Sequence, residues 1–433
     1  MKVLYIAIAR SMISRYFVYL AHLISLLMLS RAFTPLEFGV VASLTVVFIF
    51  FKMVTEGGFG PAIINLRDLS DEDKNGIFSV SLLFGIACSI IFYLLTPTII
   101  EFYGIQDIYM ISPYVCVSIF IYSITIVPNS FLLRELKFKE LAIAGGASEI
   151  IGLLVALISK DSINPIVALS LKLLATNVAL ATLTLFYSSK TQFGVPSIGT
   201  KLSAITPLMS FISYQFLFNI VNYFSRSLDA IIVGKYFGAP MLALYDKSYQ
   251  IMKYPLMLLT FAMTPAIQPV IKGKIENPEE VIAIHDKFIS RLSFLAIIIG
   301  GIVCTYSELI VHILLGEQWG NVSGILSILS LSIPLQIILS TSGSFYQSFN
   351  QSKLLFLSGC FSLSLVIVSV LIGIIYNDVY VLCYMLVASY HVSFLQNYCL
   401  LYIRVFNKNP TGFLIRALPI FIFAPVAIFF RCF

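Results

Sequence analysis

Eleven lysine, arginine, aspartate and glutamate side chains lie inside, or at the edges of, the long apolar segments of this chain, away from the basic residues of the loops and adjoining segment ends. A charge at the centre of a lipid bilayer costs at least about 2.5–3.5 kcal/mol, so such groups tend to pair, reach the interface or line a wet cavity. Intramembrane charges are therefore functional candidates by default. The six basic and five acidic residues are Arg15, Lys52, Lys172, Arg226, Lys247, Lys253, Glu56, Glu149, Asp229, Asp246 and Glu308.

Position along the apolar segments separates these charges into two groups. Arg15, Lys52, Glu56 and Glu308 lie near segment ends, where we expect their side chains to reach the interface. The others concentrate between residues 149 and 253. Two interpretations of this second group stay open. The charges either line a hydrated cavity that contacts a charged head group or form pairs that hold helices together.

Spacing within the second group allows some pairing. Arg226 and Asp229 are three residues apart and share a helix face. Asp246 and Lys253 are seven apart and also share a face, whereas Lys247 points elsewhere. Glu149, near the middle of its segment, has no partner on its own helix.

The elements that carry these residues are predicted to be transmembrane helices. Hydrophobic residues make up 59% of the chain and charged residues 11%, with a mean hydropathy of +0.96, whereas soluble domains carry roughly 25% charged residues. A span needs about 20 apolar residues, and barrel-type alternation is absent. We predict an all-α polytopic protein with about thirteen spans (twelve to fourteen), at 11–30, 39–55, 77–97, 109–132, 141–159, 165–187, 209–234, 241–268, 289–315, 324–347, 354–376, 379–403 and 412–430.

The distribution of lysine and arginine predicts that the N-terminus is cytoplasmic. With that orientation, seventeen basic residues fall on the inner side. Only four fall on the outer side, namely Arg31, Lys160, Lys235 and Arg431. Cytoplasmic segments carry the basic excess in membrane proteins, which also accounts for the net charge of +6.

A weak internal repeat predicts two related halves. Pro35 matches Pro240 at an offset of 205, and Phe131 and Lys139 match Phe345 and Lys353 at 214. Two six-helix lobes related by a pseudo-two-fold axis are typical of transporters that rock around a central site. The predicted domains are lobe 1–190, a cytoplasmic connector 191–208, lobe 209–405 and an extra helix 406–433.

Signals for enzyme or metal chemistry are missing from the sequence. There is no Walker motif, no HExxH and no GxSxG at a strand–helix turn. The seven cysteines form no metal spacing, and His285 falls in the charged segment 270–288, which we predict to be a loop. We predict no catalytic residue, no metal site and no cofactor, although coupling to Na⁺ or H⁺ stays open.

Several stretches resemble the Wzx-type polysaccharide flippase family, in the branch of colanic-acid exporters. This branch lies within the superfamily of multidrug, oligosaccharidyl-lipid and polysaccharide exporters. The stretches are Ser30 to Gly39, Glu56-Gly57-Gly58, Leu132 to Phe138, Asp229 to Gly238 and Leu244 to Tyr249. The resemblance runs from about residue 10 to 405 and implies a MATE-like fold.

The resemblance also implies a function. Members move undecaprenyl-diphosphate-linked oligosaccharide to the outer leaflet of the bacterial inner membrane by alternating access, in the company of a polysaccharide polymerase and a chain-length regulator. For this chain it implies that the substrate meets Arg226, Lys247, Lys253, Lys172 and Tyr245. Candidates for ion coupling or a polar lumen are Glu149, Asp229 and Asp246.

Three other functions remain as alternatives. A drug or cation antiporter with the same fold would favour acidic residues in an apolar lumen. An O-antigen polymerase or ligase would carry a large outer loop with catalytic Arg or His residues, whereas the outer joints here are short. A membrane scaffold has no feature in its favour.

Overall fold

The computed structural model describes residues 2–65, 69–261, 267, 271, 277–349 and 351–431. Within these ranges the chain contains helices and no strand, which confirms the all-α prediction. The helices are α1 (Lys2–Ala32), α2 (Pro35–Glu56), α3 (Phe59–Asn65), α4 (Asp71–Tyr103), α5 (Ile108–Arg134), α6 (Phe138–Ser159), α7 (Pro165–Ser188), α8 (Met209–Leu256), α9 (Pro278–Thr305), α10 (Ser307–Leu314), α11 (Val322–Ser330), α12 (Ile333–Ser348), α13 (Ser352–Tyr376), α14 (Val379–Leu400) and α15 (Thr411–Arg431).

Ten helices of the described chain are long and apolar enough to cross a membrane, or eleven if α11 and α12, bent by 55°, form one broken span. The chain is a multi-pass membrane protein. Helix α8 counts once among the ten but covers the seventh and most of the eighth predicted spans. It is interrupted at Gly238, where φ is 83° and ψ 171°. Helix α1 covers the first predicted span, and the exact count of thirteen stays a prediction.

Contacts divide the chain into two compact units, Met1–Ala243 and Leu244–Phe433. In the first unit α5 packs on α2, α4 and α7, while α6 packs on α1 and α7. In the second unit α13 packs on α14, and α9 packs on α11, α12 and α15. The lobe boundaries predicted above remain predictions.

Helix α2 shows how one of the recognised stretches folds. The Thr34 hydroxyl accepts a hydrogen bond from the Glu37 N–H at 3.4 Å, and the Glu37 carboxylate accepts one from the Thr34 N–H at 2.7 Å. This reciprocal capping, with Pro35 in the first turn, defines the start of the helix. A Cβ on Gly39 would lie 2.0 Å from the carbonyl oxygen of Ala239. Glycine is therefore required because two backbones meet there.

The predicted connector 191–208 packs against the first turns of α4 in the first unit. The Lys74 ammonium donates to the Phe193 carbonyl at 2.6 Å, and the Lys201 ammonium lies 2.8 Å from the Asp73 carboxylate. The hydrogen bond to Asp73 raises the pKa of the Lys201 side chain. The connector is therefore fastened to the unit rather than left as a free tether.

His285 corrects one expectation, because it lies inside α9 rather than in a loop. Its side chain is fully buried, with Nδ1 3.1 Å from the Tyr402 hydroxyl and 3.2 Å from the Asp286 carboxylate. Five aromatic rings surround it at 4.7–5.8 Å between centroids, those of Phe345, Tyr398, Tyr402, Phe406 and Phe413.

The last predicted span is a helix, α15, despite Arg416 and two internal prolines. Arg416 donates to the Asp286 carboxylate, which also accepts a hydrogen bond from the Tyr402 hydroxyl. Phe413 stacks on Tyr402 at 4.9 Å. We call His285, Asp286, Tyr402 and Arg416 the packed cluster, since it joins α15 to α9 through a filled aromatic core.

Candidate functional site

Glu149 and Lys172, predicted as separate candidates, lie together in the first unit. Glu149 is 4% exposed, and one carboxylate oxygen is 2.6 Å from the Lys172 ammonium. The other oxygen is 3.4 Å from Nδ1 of His22 on α1. Each side chain provides the counter-charge of the other, because burying either charge alone would cost free energy. Sequence reasoning found no partner for Glu149 because both partners lie on other helices.

The close approach of α6 and α7 holds this pair in place. A Cβ on Gly152 would lie 2.0 Å from the Thr176 hydroxyl and 2.9 Å from the Lys172 carbonyl. Only glycine allows the two helices to come so near. This contact brings Glu149 within reach of Lys172.

Arg226 and Asp229, predicted to share a helix face, differ in their environments. Arg226 is exposed, whereas Asp229 is 7% exposed. The Asp229 carboxylate accepts a hydrogen bond from the Ala230 N–H at 2.9 Å. Arg226 is therefore the more accessible of the two candidates.

In the second unit, Tyr245 and Lys247 are buried, at 1% and 5% exposed. The Tyr245 ring packs on Tyr249 at 4.9 Å, and the Lys247 ammonium lies 5.8 Å from the centre of the Trp319 ring. An ammonium at this distance over an aromatic face is attracted by it. Lys247 is thus placed inside the unit, beside aromatic rings.

Asp246 and Lys253 engage different neighbours on α8. The Asp246 carboxylate accepts a hydrogen bond from the Gln250 amide at 2.6 Å. Lys253 is exposed, and its ammonium lies 5.4 Å from the centre of the Tyr249 ring. Gln250, one turn after Asp246, is a partner that sequence reasoning did not consider.

A cavity of about 300 Å³ lies in the first unit, among residues that were not predicted as a site. The Lys52 ammonium lies 4.3 Å from the centre of the Tyr122 ring, and the Tyr122 hydroxyl donates to the Glu56 carboxylate at 3.3 Å. We call these three residues the cavity cluster. The remaining lining residues are Gly60, Ile64, Thr125, Ile126, Asn129, Ser130, Leu133, Leu180 and Thr184.

A break in the backbone places Glu56 at this cavity. Helix α2 ends at Glu56, and α3 begins at Phe59. Between them Gly57 and Gly58 take φ values of 53° and 107°, which glycine adopts readily. A Cβ on Gly58 would lie 3.0 Å from Cβ of Gln215. Interrupted helices at membrane depth are tolerated where the backbone is buried in protein or lines a cavity.

Lys52 and Glu56 were predicted to reach the interface, which stays a prediction, and the structure adds that both line the cavity. The signal that was available is their spacing of four residues, followed directly by two glycines. Residues four apart are neighbours on a helix surface, and interrupted helices commonly form the binding sites of transporters. No feature of the sequence near Lys52 and Glu56 indicated Tyr122, because it lies on another helix.

The chain matches a known protein family over most of its length. A model described as "Polysaccharide biosynthesis protein" matches residues 28–324, more than half of the chain. The chain belongs to this polysaccharide biosynthesis protein family. The predicted resemblance to Wzx-type proteins is thereby confirmed.

Individual relatives of this family member are distant. The teichuronic acid biosynthesis protein TuaB of Bacillus subtilis (strain 168) is 23% identical over 304 residues, 68% of this chain and 61% of that protein. The lipopolysaccharide biosynthesis protein WzxC of Escherichia coli (strain K12) is 19% identical over 360 residues, 81% of this chain and 71% of that protein. The chain thus spans about three fifths of the length of TuaB.

Solved structures establish the fold of this family member. The lipid II flippase MurJ, in an inward closed conformation, superposes with a TM-score of 0.76 at 15% identity, covering 97% of this chain and 98% of that one. An inward-facing multidrug resistance MATE family transporter of the MOP superfamily gives 0.67 at 14% identity, covering 94% and 95%. The predicted MATE-like fold is confirmed.

Proposed function

We propose that this protein is a flippase that moves an undecaprenyl-diphosphate-linked oligosaccharide from the cytoplasmic to the outer leaflet of the bacterial inner membrane. The observation that carries the proposal is the cavity cluster, in which a lysine, a glutamate and a tyrosine meet open space among apolar membrane helices. Polar groups at such depth are retained where they contact a substrate or an ion.

Alternating access between two lobes is the proposed mechanism, with the N-terminus in the cytoplasm. The lysine and arginine distribution supports this orientation. It places the end of α2, and with it the cavity cluster, on the cytoplasmic side, where a lipid-linked oligosaccharide would be collected. A polysaccharide polymerase and a chain-length regulator are proposed partners on the receiving side.

The roles of the predicted residues follow from their environments. Arg226 and Lys253 are exposed and are proposed to attract the diphosphate or acidic sugars. Lys247 and Tyr245 are proposed to contact the substrate as the unit changes shape. We assign Asp229 and Asp246 to a polar lumen.

The Glu149–Lys172 pair suits a coupling role better than a role in attracting substrate. The Lys172 ammonium is already engaged at 2.6 Å by the carboxylate, which leaves less of its charge for a phosphate. His22 lies at 3.4 Å from the same carboxylate and is half exposed. Because an acid, an ammonium and an imidazole meet here, we propose this group as the site of ion coupling, with Na⁺ or H⁺ as the ion.

Transport is proposed rather than catalysis, and a lipid-linked sugar rather than a cationic drug. The shared MATE-like fold does not separate the two kinds of substrate, because folds host many functions. We propose the lipid-linked sugar because the family model that matches this chain is described as a polysaccharide biosynthesis protein.

Deletion of the gene in its own organism tests the function. We expect surface polysaccharide to be lost while lipid-linked repeat units accumulate on the inner leaflet, where they stay out of reach of an added outer-leaflet glycosidase. Plasmid-borne wild-type protein should restore export. Normal surface polysaccharide in the deletion strain would contradict the proposal.

A further inference from the structure

We infer that the cavity beside Lys52, Glu56 and Tyr122 binds one uncharged sugar ring of the substrate and not its diphosphate. This inference rests on the proposed function, since it names the part of the lipid-linked substrate that enters this site. It makes the cavity a determinant of which oligosaccharide is accepted.

The first argument is charge. Among the described residues that line the cavity, Lys52 and Glu56 are the two charged ones, and they are one helical turn apart. Their formal charges cancel. A diphosphate would be attracted by one ammonium but repelled by one carboxylate, because both groups line the same cavity. An uncharged ligand avoids this cost.

The second argument is the set of hydrogen-bonding groups. Glu56 accepts, Lys52 donates, and the Asn129 amide does both. Among the described residues, no side chain or carbonyl hydrogen-bonds to the Asn129 amide, so its donors are available to a ligand. Mixed donors and acceptors around a small space match hydroxyl groups, each of which also donates and accepts.

The hydroxyl side chains of the lining complete the set as acceptors. Ser130, Thr125 and Thr184 each donate to a carbonyl of their own helix at 2.7–2.8 Å. Their protons are therefore committed, while their oxygen lone pairs stay free to accept from a sugar hydroxyl. A phosphate has hydrogen-bond acceptors but no donor, so it could not form hydrogen bonds with these oxygens.

The third argument is size. A cavity of about 300 Å³ lies at the lower end of the range of small-molecule pockets, roughly 300–1,000 Å³. It suits one ring rather than an oligosaccharide. Gly60 borders it, and a Cβ there would lie 3.5 Å from the Ser130 hydroxyl and 3.7 Å from the Glu56 carboxylate. These are ordinary contacts, so a larger side chain at this position fills the cavity without forcing the backbone.

The experiment measures binding to the full chain purified in detergent. The uncharged probes are glucose, galactose, rhamnose and N-acetylglucosamine, observed by saturation-transfer difference NMR, and the anionic probe is sodium diphosphate, observed by ³¹P line broadening. We expect at least one uncharged sugar to bind the wild type and diphosphate to leave the cavity empty. Gly60→Val should reduce the sugar signal by at least about five-fold because it fills a pocket of this small size.

Gly359→Val is the matched control. Gly359 is exposed on α13 and has no atom within 4 Å of an added Cβ, so the same substitution there should leave the sugar signal unchanged. If none of the four sugars binds, or if Gly60→Val and Gly359→Val have equal effects, the inference is overturned. Diphosphate binding that Gly60→Val removes would overturn it as well.

Glu56→Gln provides a second, independent variant. It keeps the shape of the side chain but leaves the Lys52 charge unopposed. We expect the sugar signal to fall and diphosphate broadening to appear, because the cavity is then cationic. Unchanged preference between the two probes would count against the charge argument.

These measurements fail separately from the proposed function. Binding is observed without any transport, whereas the deletion strain reports export alone. Export without sugar binding leaves the flippase proposal standing and removes the sugar site. Sugar binding together with normal polysaccharide in the deletion strain leaves the sugar site standing and removes the flippase proposal.

Discussion

Two clusters in this chain are built from similar side chains but differ in the space beside them. The cavity cluster of the first unit joins Lys52, Glu56 and Tyr122 next to an open cavity. The packed cluster of the second unit joins His285, Asp286, Tyr402 and Arg416, with the His285 ring inside a shell of aromatic rings and the Arg416 side chain 62% exposed. An acid, a base and a tyrosine therefore do not by themselves mark a binding site. The neighbouring volume decides whether such a group meets a ligand or fastens helices together.

The largest expected effect lies in the packed cluster, at Asp286. Asp286→Ala removes the acceptor shared by Tyr402, His285 and Arg416. Leaving buried donors without a charged acceptor costs about 1–3 kcal/mol. Tyr402 and His285 are buried, whereas Arg416 is 62% exposed and contributes little, so we expect about 3 kcal/mol, chiefly from the two buried partners. Denaturation in detergent should show this loss. Glu279→Ala is the control, since its pair with Lys408 is exposed and surface pairs contribute about 0–1 kcal/mol.

A smaller loss of stability is expected at Glu149. This carboxylate is buried, but its partner Lys172 is partly exposed. Glu149→Gln leaves the Lys172 ammonium without its counter-charge, and we expect a loss of about 2 kcal/mol. Adding Lys172→Met should recover part of it, because the uncompensated charge is then gone. A double-mutant cycle measures the coupling. Additive single effects would show that the two side chains act independently.

The smallest effects come from one substitution made in both clusters. Tyr402→Phe removes a hydroxyl buried between Asp286 and His285, and we expect it to cost about 1–2 kcal/mol. Tyr122→Phe removes a hydroxyl 3.3 Å from Glu56 beside a cavity that water can enter, and we expect less than about 0.5 kcal/mol. Equal losses in the two variants would erase the distinction between the clusters.

Helix positions were predictable because hydrophobic length alone determines a membrane span. The predicted span 165–187 and the observed helix Pro165–Ser188 differ by one residue. One prediction was wrong because a polar segment of the sequence was interpreted as a loop. The charged sequence around His285 was predicted to be a loop, yet a proline and two glutamates there form the first turn of α9. Charged residues are favoured at a helix start by the helix dipole.

The candidate site was predictable only in part, because its partners lie on different helices. Sequence spacing identified Glu149 as a buried charge in need of a partner. Its contacts with Lys172 and His22 depend on helix packing, which spacing cannot reveal. The same holds for Tyr122 and Glu56, which are 66 residues apart in sequence. The glycines of the recognised stretches have a packing role that sequence comparison alone did not show, as at Gly39.

The four-residue spacing of Lys52 and Glu56 has a consequence for the empty protein. A hollow that carries one fixed ammonium and one fixed carboxylate has no need to recruit sodium or chloride from the surrounding water. The two opposite charges give the cavity no net charge, so the membrane potential exerts little net force on this pair. The empty cavity therefore adds no net charge of its own when the unit changes conformation.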